Sequence, residues 1–115
     1  MSPSPVEYLR HILDEINYIE SVMRDIKKDD FLFDETLKRS FVRSIEIIGE
    51  AVKKMPSDFK QRYSSIDWKR IGGMRDKLIH DYFGVDYHLV WDVATNKLPE
   101  LKQNIKGIIK EESGD

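Results

Sequence analysis

Apolar residues recur every three or four positions through the first half of the chain, which is the spacing of one face of an α-helix. A first helix is predicted to begin at Ser4-Pro5-Val6-Glu7, a capping box with proline at the first helical position. Its apolar stripe, about six turns long, consists of Leu9, Ile12, Leu13, Ile16, Ile19, Met23 and Ile26. A polar connection, Lys27-Lys28-Asp29-Asp30, is expected to follow this helix.

The same spacing predicts a second helix from near Asp34 to about Lys54. Its inward-facing positions are Leu37, Phe41, Ile45, Ile48 and Val52. Gly49 lies within this helix, and because glycine weakens a helix, we expect a neighbouring element to cross closely there. Pro56 ends the helix, and residues 57–63 are predicted to form a loop with about one helical turn.

Shorter elements are predicted for the middle of the chain. Asp67 would cap a short helical segment, and Gly72-Gly73 would allow a bend after it. No proline or glycine occurs between Met74 and Phe83, and the apolar residues there have helical spacing. One helix is therefore predicted over residues 74–83, with Gly84 as its stop.

The last part of the chain contains two further helix signals. Asp86 is predicted to cap a helix from Tyr87 to about Asn96, and Leu98-Pro99 is expected to break it. A final helix would start at Pro99 and bury Leu101, Ile105, Ile108 and Ile109. Strand-like alternation is missing throughout, so the sequence predicts an all-α fold. We expect one domain over residues 1–115, an antiparallel bundle of four principal helices with a short extra helix.

Size and composition narrow the function classes. The chain has 115 residues, 40% of them hydrophobic and 35% charged, and a net charge of −2. No apolar run is long enough for a bilayer, and the first residues lack a signal-peptide pattern, so we expect a cytosolic protein without membrane contact. The absence of cysteine excludes disulfides, thiolate metal sites and a cysteine nucleophile.

Positive charge is concentrated in one window of this slightly acidic chain. Between Lys53 and Lys77 eight basic residues face three acidic ones, a local charge of +5. Such a window resembles a footprint for phosphate groups, although basic residues on exposed helix faces also cluster by chance. The candidate RNA-binding residues in it are Lys69, Arg70 and Lys77.

The basic window leads into a motif with chemical potential, Arg75-Asp76-Lys77-Leu78-Ile79-His80-Asp81-Tyr82. Arg75 offers a permanent planar cation, and His80 titrates close to neutral pH. In a helix Asp76 would lie one turn from His80 and could orient its ring. These residues could bind a phosphate and transfer a proton, but a simple pair of Asp76 and His80 on an exposed helix face remains the alternative.

The chain resembles the HepT-like branch of the HEPN proteins, the toxin half of HepT/MNT toxin–antitoxin modules. The resemblance lies in Arg75-x4-His80-x-Tyr82 and in Ile47-Ile48-Gly49-Glu50-Ala51, Asp67-Trp68-x-x-Ile71-x-Gly73-Met74, Phe83-Gly84-Val85-Asp86, Val90-Trp91 and Leu98-Pro99. These segments cover roughly residues 6–110 in one order. The family motif matches at Arg75, His80 and Tyr82 without departure.

This resemblance implies a toxin of a type VII-like system and a metal-independent endoribonuclease. The family's catalytic arginine and histidine correspond to Arg75 and His80, and two protomers contribute across a dimer interface. The tyrosine that the cognate minimal nucleotidyltransferase (MNT) antitoxin modifies with AMP corresponds to Tyr82. The implied partners are RNA, the MNT antitoxin and a second copy of the chain, and neither a cofactor nor a metal ion is expected.

Geometry leaves several arrangements of the motif open. Five residues correspond to about 140° around an ideal helix, so Arg75 and His80 of one protomer would diverge. The helix could be distorted, Arg75 could reach around it, or Arg75 could meet His80 of the other protomer, which the family resemblance favours. Two other functions compete with the nuclease: a non-catalytic HEPN subunit that binds nucleotide or acts as a scaffold for a nucleotidyltransferase, and a structural helical dimer with no site.

Overall fold

The computed structural model describes residues 3–79 and 84–114, and these residues form an all-α fold as predicted. The helices are α1 (Pro5–Met23), α2 (Lys28–Phe33), α3 (Glu35–Lys54), α4 (Ser57–Arg62), α5 (Trp68–Gly72), α6 (Met74–Leu78), α7 (Tyr87–Asp92), a π-helical turn (Val93–Lys97) and α8 (Leu98–Ser113). Within the described residues, the β-structure is limited to one isolated antiparallel bridge between Ile79 and Val85.

The two long helices of the first half begin where the sequence predicts. The Ser4 hydroxyl accepts a hydrogen bond from the Glu7 backbone N–H at 3.2 Å, so α1 starts at Pro5. The Asp34 carboxylate accepts one from the Leu37 N–H at 3.0 Å, so α3 starts at Glu35. Both caps satisfy N–H groups that have no partner inside the helix.

The core is centred on α1, which packs against both α3 and α8. Its buried side chains include Leu9, Ile12, Ile16 and Ile19 of α1, Phe41, Ile45, Ile48 and Val52 of α3, and Leu98, Leu101, Ile105 and Ile108 of α8. They repeat at the helical spacing visible in the sequence, which confirms the predicted inward faces. Leu13, Leu37 and Ile109 are only partly buried at the edge of this core.

The predicted polar connection after α1 is wrong, because residues 28–33 form the helix α2. Asp30 accepts a hydrogen bond from the Lys27 N–H at 2.9 Å and stabilises the first turn. Phe31 is fully buried, with its ring centroid 4.9 Å from that of Phe41 and 5.3 Å from that of Trp91. Burial of Phe31, with Leu32 packed partly against the core, holds this helix in place.

The segment after Pro56, predicted as a loop with about one helical turn, is more helical than expected. Residues 57–62 form the helix α4, which exceeds the single turn expected there. Phe59 is buried at the edge of the core, and its ring centroid lies 5.0 Å from that of Tyr63. As in α2, one buried aromatic residue is the main anchor of a short helix.

The predicted motif helix over residues 74–83 is not continuous, because it is interrupted at Ile79. α6 ends at Leu78, and Ile79 is extended, with φ −116° and ψ 115°. Ile79 pairs with Val85, and the Asp86 N–H donates to the Leu78 carbonyl at 2.9 Å. Ile and Val are β-branched and favour the extended backbone, which explains why helix formation stops. The remainder of the predicted helix, residues 80–83, lies outside the described residues.

Of the two predictions made for the end of the chain, the cap at Asp86 is confirmed and the break at Leu98-Pro99 is wrong. Asp86 accepts a hydrogen bond from the Leu89 N–H at 3.1 Å and caps α7 as predicted. The expected break at Leu98-Pro99 does not occur, because the backbone passes through the π-helical turn directly into α8. The Leu98 N–H donates to the Val93 carbonyl within this wider turn, so Pro99 is accommodated without ending the helix. No helix in the described part of the chain could cross a membrane.

Candidate functional site

Arg75 is the motif residue whose surroundings the structure describes best. It lies on α6, which packs against α3, α5 and α7. Its Nε is 3.6 Å from a carboxylate oxygen of Glu46, and its Nη1 is 3.4 Å from a carboxylate oxygen of Asp76. The Arg75 side chain is 44% exposed, so N–H donors of the guanidinium remain accessible to an external phosphate.

Glu46 is a site residue that the sequence analysis missed. It lies on α3 with 29% of its side chain exposed, and it holds one side of the Arg75 guanidinium. A signal was present, because Glu46 precedes Gly49 by three residues and shares its helix face. If a neighbouring segment crosses this helix at Gly49, a carboxylate one turn away on the same face can contact a residue of that segment.

The close approach predicted at Gly49 is confirmed. A Cβ atom at Gly49 would lie 3.2 Å from the carbonyl oxygen of Gly72, the last residue of α5. Glycine at 49 therefore lets α5 lie directly against α3. Gly73 is the single residue between α5 and α6, so this contact also fixes the position of Arg75 relative to Glu46.

Asp76 pairs with Arg75, a contact that the sequence does not predict. Its side chain is 65% exposed. The predicted pairing with His80 assumed one continuous helix, and α6 ends at Leu78. His80 and Tyr82 both lie outside the described residues, so their roles stay predictions. The 140° divergence expected between Arg75 and His80 also rested on that helix and no longer applies.

The basic window divides into two surfaces, one on each side of α5. The first, which we call the basic groove, lies between α3, α4 and α5, and its cations are Lys53, Lys60 and Lys69. The second, the mixed groove, lies between α5, α6 and the α7–α8 segment. Its charged residues are Arg70, Lys77, Lys97, Asp67, Asp92 and Glu100.

The three candidate RNA-binding residues are therefore not one cluster. Lys69 lines the basic groove, whereas Arg70 and Lys77 line the mixed groove. Lys69 and Arg70 are sequence neighbours on the short helix α5, and adjacent residues of a helix point in different directions. A run of basic residues in sequence does not form a single patch here.

Two further polar contacts connect distant parts of the chain. Tyr63 donates a hydrogen bond to the Glu112 carboxylate, which also pairs with Arg62 at 3.2 Å. That hydrogen bond raises the pKa of the Tyr63 phenol above its ordinary value.

At the start of α3, the hydrogen bond and charge of Lys38 hold the pKa of Glu35 below its ordinary value. Across residues 3–79 and 84–114, no three His, Asp or Glu side chains converge to hold a metal ion.

Comparison with known proteins identifies relatives along nearly the whole chain. A family model described as "Ribonuclease HepT-like" matches residues 12–108. A protein of Caldanaerobacter subterraneus named "Putative RNase" is 47% identical over 109 residues, covering 95% of this chain and 97% of that protein. A Thermococcus cleftensis protein named "Probable ribonuclease HepT" is 41% identical over 110 residues, covering 96% of this chain and 100% of that protein.

A third relative is a longer protein. It comes from Methanocaldococcus jannaschii, is named "Gamma-glutamylcyclotransferase and putative RNase", and is 45% identical over 104 residues. The alignment covers 90% of this chain but 47% of that protein, so the similarity is confined to about half of it. No solved structure matches the chain.

Proposed function

Because the chain belongs to the HepT-like ribonuclease family, we propose that it is an endoribonuclease and the toxin of a type VII-like toxin–antitoxin module. The observation that carries the proposal is the family match over residues 12–108, which contains the whole Arg75-x4-His80-x-Tyr82 motif. The half-exposed guanidinium of Arg75, held by Glu46, supports it as a group ready to receive a phosphate.

The proposed reaction is attack of a ribose 2′-OH on the adjacent phosphorus. A His80 imidazole takes the 2′-OH proton, the 2′-oxygen bonds to phosphorus, and the bond to the 5′-oxygen breaks. A protonated His80 gives a proton to that leaving oxygen, and the products are a 2′,3′-cyclic phosphate and a 5′-OH. Arg75 stabilises the negative charge on the phosphate oxygens in the transition state. The step needs no metal ion.

Separate acid and base groups suggest a shared site. Each chain supplies one His80, so a two-fold homodimer of HEPN-like four-helix bundles would provide two histidines and two arginines. We therefore place the motif segments near the dimer axis. Arg75→Ala and His80→Ala proteins, each inactive alone, should regain part of their activity on mixing. A monomer by light scattering at micromolar concentration would exclude the shared site.

Control by an MNT antitoxin is the third part of the proposal. Transfer of AMP from ATP to the Tyr82 oxygen releases pyrophosphate and adds a bulky anion next to groups that bind RNA phosphates. Incubation with ATP and the antitoxin should add AMP at Tyr82 and silence the nuclease, as peptide mass mapping would show. Tyr82→Phe should still cleave RNA and escape this inactivation. AMP confined to another tyrosine would exclude Tyr82 as the target.

The nuclease itself is tested by cleavage in EDTA. We expect activity to persist, to leave 2′,3′-cyclic phosphate ends, and to fall by about 10²–10⁴ in His80→Ala, the usual contribution of a positioned acid–base group. Activity that requires Mg²⁺, or is unchanged in His80→Ala, would contradict the mechanism. RNA binding without any cleavage would instead favour the non-catalytic HEPN scaffold.

A further inference from the structure

The basic groove has the composition of a surface for a phosphate backbone. It encloses a volume of about 950 Å³ between three separate helices. Lys53 comes from α3, Lys60 from α4 and Lys69 from α5. Its rim also carries the hydroxyl and amide groups of Ser57, Gln61, Ser64 and Ser65. Such groups bind phosphate and ribose oxygens.

Positive charge in the basic groove is largely uncompensated. Three lysines line it against one carboxylate, that of Asp67, which also caps α5 by accepting a hydrogen bond from the Arg70 N–H at 3.1 Å. Lys60 donates to the Val52 carbonyl at 3.3 Å, which fixes its direction. Lys53 and Lys69 are exposed, and within the described residues neither forms an ion pair. Two cations are thus available to an anion.

The basic groove lies close to Arg75 along α3. Glu46, which contacts Arg75, and Lys53 are seven residues apart on one face of this helix, a distance of about 10 Å at the usual helical rise. Gly49 lies between them against Gly72, and a Cβ at Gly72 would lie 3.4 Å from the Lys53 stem. One strand could therefore contact both places.

We propose that the basic groove binds the backbone of single-stranded RNA next to the phosphodiester held at Arg75. This inference rests on the proposed nuclease function and extends its substrate site to Lys53 and Lys69. Trp68 is 7% exposed and its indole N–H donates to the carbonyls of Lys60 and Tyr63, so it offers no stacking face to a base. Binding in the groove should consequently depend on phosphates rather than on base sequence.

The mixed groove is a weaker candidate for the same strand. Arg70, Lys77 and Lys97 are matched there by three carboxylates, and apolar residues such as Met74 and Leu89 line its walls. A balanced and partly apolar groove gives a polyanion little net attraction. The charge difference between the two grooves is therefore the reason for placing RNA in the basic one.

The test measures RNA binding by a His80→Ala background protein, which should not cut the probe. Fluorescently labelled 12-nucleotide RNAs of two unrelated sequences are titrated over a salt series. Lys53→Gln with Lys69→Gln should lower the slope of log K against log salt by about 0.7 for each lysine, equally for both sequences. Lys53→Arg with Lys69→Arg keeps the charge and should retain the slope.

A matched control removes two exposed lysines of α8, with Lys106→Gln and Lys110→Gln, and should bind as the background protein does. The proposal would be overturned if the groove variant and this control showed equal slopes of log K against log salt. It would also be overturned if the groove variant lost affinity for a poly-glutamate peptide but not for RNA. The nuclease proposal is tested separately, by cleavage. If the wild-type protein did not cleave RNA but the groove variant still lost RNA binding, the nuclease proposal would fail and the groove would remain an RNA-binding surface.

Discussion

The long helices α1, α3 and α8 and the short helices α4 to α7 are held in the protein in different ways. Each long helix has 16 to 20 residues and buries a continuous apolar stripe. The short helices have five or six residues, too few for independent stability, and each depends on a cap or a single packing contact. Stability therefore resides in the long helices.

The same difference explains where chemistry is available. A stripe of buried side chains leaves a long helix few positions that can change without loss of packing. The short helices bury one or two residues each, so their other side chains can be charged and exposed, as Lys69 and Arg75 are. Substitutions in the buried stripes of the long helices should lower stability, and substitutions of exposed or partly exposed charged side chains on or next to the short helices, Glu46 among them, should lower function.

The largest expected effect is on stability, from Phe41→Ala in α3. Phe41 is fully buried against Phe31, so its removal should reduce the free energy of unfolding by about 3–5 kcal/mol. Urea unfolding followed by circular dichroism would measure this loss. Phe33→Ala is the matched control, because Phe33 is 87% exposed and should change stability by no more than about 0.5 kcal/mol. Similar losses in both proteins would contradict the assignment of stability to the buried stripe.

This contrast also explains how much of the fold the sequence could predict. The starts of α1 and α3 are predicted correctly because a repeated apolar stripe and a capping side chain are local signals. α1 nevertheless ends at Met23, before Ile26, the last residue of its predicted stripe. α2 was missed because it depends on Phe31, whose ring contacts Trp91 from a distant part of the chain. α4 was shortened because Phe59 is its one buried side chain, too few apolar positions to give a helical pattern. The pairing of Ile79 with Val85 likewise depends on a tertiary contact that no helical spacing reveals.

The candidate site was predicted only in part for a related reason. Arg75 was found because the motif is contiguous in sequence, whereas Glu46 belongs to another helix and meets Arg75 only through the crossing of α3 and α6. The division of Lys69 from Arg70 depends on the direction of each side chain from α5, which charge counting along the sequence cannot give.

A smaller effect, on activity, is expected from Glu46→Gln. Loss of the carboxylate weakens the contact that positions Arg75, so we expect kcat/KM for RNA to fall about two- to fivefold, consistent with an exposed ion pair worth up to about 1 kcal/mol. The free energy of unfolding should change little. Glu46→Asp should recover part of the activity.

Glu50→Gln is the control for this change. Glu50 is exposed on α3, and its carboxylate oxygen lies 3.9 Å from an Arg43 nitrogen. The Glu50→Gln protein should cleave RNA as the wild-type protein does. If Glu46→Gln instead lowered stability and left cleavage intact, the separation of the two regions would be wrong at this position.

The smallest expected effect is a pH dependence where the two regions join. Tyr63, at the end of α4, donates to Glu112 of α8, and this raises the pKa of the phenol in the folded protein. The contribution of Tyr63 to stability is therefore complete below the unfolded pKa of about 10 and is lost as the pH rises through the higher folded pKa. Urea midpoints measured on both sides of this range should show the loss.

Tyr63→Phe should remove this part of the pH dependence, because the substitution deletes the titrating group. Tyr18→Phe provides the comparison, since Tyr18 is an exposed tyrosine of α1. A Tyr63→Phe protein whose midpoint fell with alkaline pH as steeply as the Tyr18→Phe protein would show that this contact does not link α4 to α8 energetically.

The approach of Gly72 to Gly49 has a consequence for how sequences of this kind can diverge. Any larger residue at position 49 would press on the Gly72 carbonyl oxygen at 3.2 Å, and α5 would have to move by a few tenths of an ångström. One residue joins α5 to α6, so the movement would reach Arg75 and the neighbouring groove together. Because that oxygen belongs to the backbone, no substitution at position 72 would remove the contact, so position 49 is expected to stay glycine, and a lineage that enlarged it would change the spacing between its two substrate contacts.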